Sequence, residues 1–273
     1  VSCSEKTKKL DSKKTKSNID FSTVFENSLG LETATYEETI RYYTNLADTY
    51  SEIFIQEIGQ TDSGKPLHIV TLNMNGSGFN FEGLRQNNRI ILINNGIHPG
   101  ESDGIDATMI LYRDKNARAF AELFHLTQPD VFIDNHVSNG ADYQYTLTHL
   151  FTQHNKLGGK LGNYLHTEMM PKLEQKLEAK SWDITPYVNV FNRTPESGFS
   201  QFLDSPRFST GYTTLFNTLG MMVETHMLKP YKQRVEGTYE LLKTMIEITE
   251  EQGDKITQLR KEQAKTWSAG KTY

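Results

Sequence analysis

The sequence predicts a three-layer α/β/α domain around a central mixed, mostly parallel sheet, and three observations carry that prediction. Apolar, β-branched runs at 89–93, 129–136 and 219–226 read as buried strands, each ending in or running into residues able to do chemistry. Between and after them, 103–113, 160–180 and 231–251 repeat apolar residues at helical spacing. With 273 residues, 36% of them hydrophobic, the chain can bury one large core without a second domain.

In chain order, 1–19 read as a flexible Lys/Ser-rich tether and 20–273 as the folded domain. Residues 20–31 carry no regular pattern. Thr35 and Glu38 form a capping box, opening a helix to about Tyr50 with Ile40, Tyr43, Leu46 and Ala47 on its buried side. Two strands, 54–59 and 67–72, flank an Asp-Ser-Gly turn. His68 lies inside the second, as a packed or edge histidine. Residues 74–86, rich in Asn and Gly, suit a surface loop. Acidic residues open the helix at 103–113, where Asp103 pairs with the helix dipole or supports a ligand histidine. A second helical pattern covers 115–124, and it meets the first at Asp114–Lys115 without turn chemistry.

An alternating strand is expected over 143–148, with His149 and His154 as solvated loop residues beyond it. The Leu/Met stripe of 160–180 is core, 187–191 suits a strand, and 199–212 reads as loop. From Leu228 onward the pattern is helical, with a polar continuation over 255–267.

The first strand runs into Gly96-Ile97-His98-Pro99-Gly100-Glu101. A histidine and a carboxylate three residues apart on a turn can face one cation, as a zinc-type ligand pair. Alone, the motif is weak. The second strand, however, ends in His136 and the third in Glu224. If the strands are neighbours, His98, Glu101 and His136 become ligands of a single Zn2+ and Glu224 is left as the base.

The ordered set 96–101, Asp134-Asn135-His136 and Val223-Glu224-Thr225 resembles the zinc carboxypeptidases of the carboxypeptidase A/B type, over roughly 36–248. The resemblance implies a zinc carboxypeptidase-like catalytic domain cleaving a C-terminal peptide bond. It also exposes a departure. In that family the segment before the third ligand is far longer and carries an Asn-Arg pair for the substrate carboxylate and an arginine for the oxyanion. No Asn-Arg pair stands between Glu101 and His136; either the chain is a stripped-down relative, or residues are missing near Asp114–Lys115, the reading favoured by the abutment of two helices without turn chemistry. Arg113 and Arg118 read as surface helix residues. Arg207, in a Ser-Pro-Arg turn, is the candidate for a substrate carboxylate, and Tyr212 for covering the site or bonding the scissile peptide, against the plainer readings of surface arginine and core tyrosine.

A net charge of -5 gives no footprint for nucleic acid, and a mean hydropathy of -0.57 belongs with a chain that works in water. Zinc, if held, is not held by cysteine, because Cys3 is alone. Val1-Ser2-Cys3-Ser4 is similar to the tail of a bacterial lipoprotein signal, which implies a lipid anchor at Cys3 and a cell-envelope or secreted location. A terminus with an incidental cysteine is the alternative, and one cysteine leaves the compartment open, cytoplasm included. Two further functions stand beside the carboxypeptidase: a zinc amidohydrolase, deacylase or cell-wall peptide amidase, and a catalytically inactive binding module.

Overall fold

The computed structural model describes residues 20–61, 63–73, 79, 81–83, 89–98, 100–114, 127–138, 141–190, 194–206 and 208–266. The expected tether, most of the 74–86 loop, the 115–124 helix, the Asp114–Lys115 junction and Arg207 therefore lie wholly or partly outside the described residues.

Two helices open the described chain, α1 (Val24–Asn27) and α2 (Tyr36–Thr49), and each begins with a capping box, Thr23 with Glu26 and Thr35 with Glu38. The first corrects the irregular reading of 20–31. A hairpin follows, β1 (Ile53–Gln60) with β2 (Pro66–Leu72), turning at Gly64, whose φ of 78° suits a residue without a Cβ. His68 sits on β2 beside Tyr36, as expected of an edge histidine.

β3 (Ile91–Asn95), α3 (Asp103–Asp114), β4 (Val131–Val137) and β5 (Leu147–Phe151) come next. The strand expected at 143–148 starts later. β5 is buried on both faces between two other strands, so the alternation that signals a half-buried strand does not apply to it. His149 is consequently a strand residue, 1% exposed, rather than a solvated one. His154 opens α4 (His154–Leu157). The expected helix over 160–180 is α5 (Gly159–Tyr164), a π-helical turn at Leu165–Met169 and α6 (Met170–Glu178) in succession.

β6 (Ile184–Pro186) precedes a short pair, β7 (Asn189–Val190) with β8 (Phe199–Ser200). The stretch read as loop up to Tyr212 contains instead the start of α7 (Ser209–Thr214). β9 (Leu219–Thr225) and one 36-residue helix, α8 (Tyr231–Thr266), are the last elements of the described residues.

The five-stranded sheet has the order β3-β4-β9-β5-β6, in which β3, β4 and β9 run parallel and the parallel pair β5/β6 runs against them. This is the mixed, mostly parallel α/β sheet expected. Because side chains alternate along a strand, Ile93, Ile133, Met221 and Val223 share the face that packs, with Leu241, Leu242, Met245 and Ile248 of α8, into the main core. Asn94, Asp134, His136 and Glu224 share the opposite face, with α7 over part of it. α3 meets the strand ends closely through Gly104, where a Cβ would lie 2.4 Å from Asn95 Oδ1 and 2.8 Å from Asn135 Cβ. Asp103 stands in the first turn of α3, as expected, and its buried carboxylate also accepts from Arg234 of α8 and Thr225 of β9, tying three elements together.

Candidate metal centre

Where β3 ends, the backbone turns through Gly96 (φ 64°) and Gly100 (φ 89°), a left-handed geometry that glycine tolerates, and this turn presents His98 and Glu101 at the carboxyl edge of the sheet. β4 brings His136 to the same edge, and β9 lays Glu224 beside it in direct register.

His98 Nδ1 lies 3.1 Å from Glu101 Oε2, and His136 Nδ1 lies 3.3 Å from the same oxygen. All three donor atoms fall within 4.8 Å of one another, and among the described residues no other group of three histidine, cysteine or acidic side chains does so. Ligands at zinc bond lengths of about 2.0–2.1 Å in a tetrahedron stand about 3.3 Å apart, so two of the separations already match a coordination edge. Two imidazoles and a carboxylate are also the donor chemistry of an open, catalytic zinc site. The residues fit one Zn2+. His136 is 9% exposed and His98 62%, so the site is anchored in the sheet and open to solvent on one side.

What fixes His136 is a residue two positions earlier. Asp134 Oδ2 lies 3.0 Å from His136 Nε2, while Oδ1 accepts from Asn94 and Oδ2 also from Ser209 of α7. A histidine donating Nε2–H to a carboxylate presents its Nδ1 lone pair to a cation, the usual support of a metal-ligating imidazole. The signal for Asp134 is in the sequence, since residues i and i+2 of a strand point the same way. Ser209 gives no such signal, because only tertiary structure brings α7 over β4.

Charge and burial shift two groups. Burial alone would favour a neutral His136, but the Asp134 hydrogen bond and charge, with Glu224 and Glu101, raise its pKa to about 9. Burial raises Glu224 to about 7; His136 opposes this, while Glu101 and Asp134 add to it. The Glu224 charge also reaches two phenols, Tyr187 and Tyr143, whose pKa values burial chiefly raises. Tyr143 is fixed by both backbone groups of Val188, at 2.7 and 3.0 Å.

Of the six residues singled out, the structure gathers His98, Glu101 and His136 into one cluster and sets Glu224 alongside. Tyr212 lies on α7 against Leu92 and Phe132, on the same sheet face but nearer the amino ends of the strands.

The fold was compared with solved structures. A metallo-carboxypeptidase from Burkholderia cenocepacia aligns over 79% of this chain and 69% of its own, with a TM-score of 0.56 and 12% identity. The fold is that of the metallo-carboxypeptidases. A second one, from Pseudomonas aeruginosa and solved with (2-guanidinoethylmercapto)succinic acid, aligns over 82% of this chain and 70% of its own, with a TM-score of 0.53 and 10% identity. No family model matches the chain, and no curated protein matches it in sequence. At such identities the shared property is the carboxypeptidase fold, and among the described residues no helix is long and apolar enough to cross a membrane.

Proposed function

We propose that the protein is a zinc-dependent hydrolase of carboxypeptidase type, with His98, Glu101 and His136 as ligands and Glu224 as general base. The observation that carries this reading is the convergence of two Nδ1 atoms and a carboxylate oxygen at the strand ends, beside a buried glutamate. A bound Zn2+ would supply Lewis acidity toward a carbonyl and a lowered pKa for water. Glu224, raised to about 7 in the metal-free protein, is poised to exchange protons near neutrality, and a cation at the triad favours its ionised form. It takes a proton from the attacking water and delivers it to the departing amine. Asp134 holds His136 in the tautomer that ligation needs.

The substrate is a peptide or peptide-like amide with a free carboxylate, for which Arg207 is the guanidinium; Tyr212, packed on Leu92 and Phe132, is left to the core. The succinate-based ligand of the Pseudomonas aeruginosa enzyme supports a carboxylate-recognising site. A second reading, an amidase or deacylase, is favoured by the lack of an Asn-Arg pair between Glu101 and His136. Residues 1–19 complete the proposal as a tether, with Cys3 as the point of lipid attachment.

N-blocked dipeptides with free or amidated carboxyl termini test the reading. Release of the terminal residue from the free acid, abolished by chelator and restored by zinc, is expected. Equal rates on the amide would replace the carboxypeptidase with an amidase, and no hydrolysis of either by the zinc-loaded protein would contradict both.

A further inference from the structure

β3 is an edge strand. Its groups facing β4 are identified by the bond from Asp130 N–H to Ile90 C=O, so by alternation Ile91, Ile93 and Asn95 direct their backbone N–H and C=O away from the sheet. Among the described residues nothing pairs with them on that side. That edge opens into a groove of about 610 Å³, bounded across from it by β2 and floored by α2 and α3. Its lining is mainly apolar, from Ile93 and Ile105 on one side to Val70 on the other, and Leu67 and Ile97 on its rim are 40% and 52% exposed. Gly96 and Ile97 line one end of the groove, so it ends at the turn that carries His98.

We infer that this groove binds an extended, apolar segment of the polypeptide substrate by strand addition to β3. Unpaired edge groups supply the main-chain hydrogen bonds of such a complex, and the apolar walls take alternate side chains. The length of β3, five residues or about 17 Å, suits a segment of similar length. Continuity with His98 is what selects a substrate as occupant, and that word rests on the proposed hydrolase. The strand-binding event does not depend on it.

The test uses the metal-free full chain and an eight-residue peptide of alternating valine and threonine, blocked at both ends, with hydrogen exchange read amide by amide. Saturating peptide is expected to slow exchange at Ile93 and Asn95 by tenfold or more, and N-methylation at every peptide residue, which removes both sets of alternate N–H groups, should abolish binding. Absence of binding, binding that leaves both amides unchanged, or equal binding of the fully methylated peptide would overturn the proposal. Hydrolysis of the short blocked dipeptides, which do not reach along β3, reports on the hydrolase separately. Protection without hydrolysis would sink that reading while leaving the groove a strand-binding site.

Discussion

In the proposed hydrolase Glu224 and His136 are where single side chains decide the chemistry. Replacing Glu224 with Gln keeps the size and removes the proposed base. A loss of about 10²–10⁴ in kcat with zinc content unchanged is expected, read by steady-state kinetics beside metal analysis. Asp134→Asn should weaken zinc about 10–100-fold in competition with a chromophoric chelator, since it alters the support of His136. Protonation gives an independent check. With its pKa raised to about 9, His136 must lose its proton to become a ligand, and Glu224, raised to about 7, ionises beside the cation, so zinc uptake at pH 7 should release between one and two protons, seen as buffer-dependent binding heat. Both pKa values lie above their ordinary values of 6.5 and 4.5. The stability His136 contributes is full below pH 6.5 and lost as pH rises through about 9; that of Glu224 is full below 4.5 and lost through about 7. Melting of the chelator-treated protein should therefore shift downward between pH 5 and 9, and zinc should reverse the trend.

Between elements, the site depends on helices that approach the sheet without side chains in the way. At Gly220 on β9 a Cβ would stand 2.6 Å from Thr152 Oγ1 and 2.7 Å from Thr213 Oγ1 of α7. Gly220→Val should push α7 outward and loosen Ser209 from Asp134, lowering zinc affinity although residue 220 touches no ligand; calorimetric zinc titration checks this. The same packing explains what the sequence hides. Ser209-Thr210-Gly211-Tyr212-Thr213-Thr214 is poor in helix formers, so its helical state comes from docking on the sheet rather than from propensity. β5 was displaced for the converse reason, since a strand covered on both faces has no period to read. The capping box at Thr35 and Glu38, the 3.6-residue stripe of 160–180 and the buried runs of β3, β4 and β9 were all visible, because each is a local pattern with one physical meaning.

At the scale of the whole molecule, topology turns four scattered residues into a site. The strand order makes β4 the neighbour of both β3 and β9, and parallel pairing puts all three carboxyl ends on one edge. The sequence supplied the strand ends, whereas adjacency and the support from α7 come only with the assembled sheet. Because a cation would join side chains from two strand ends, zinc should stabilise the whole fold: saturation at about 100 times Kd adds about 2.7 kcal/mol, a rise of a few degrees in Tm. The most direct measurement is equilibrium dialysis against zinc followed by metal analysis, for the unaltered chain and for His98→Ala, Glu101→Ala and His136→Ala, with circular dichroism to confirm folding. One zinc per chain, lost or weakened at least 100-fold in each folded variant, is the predicted result. Undiminished zinc in the folded His136→Ala protein, or none in the unaltered chain, would contradict the metal centre on which the proposed chemistry stands.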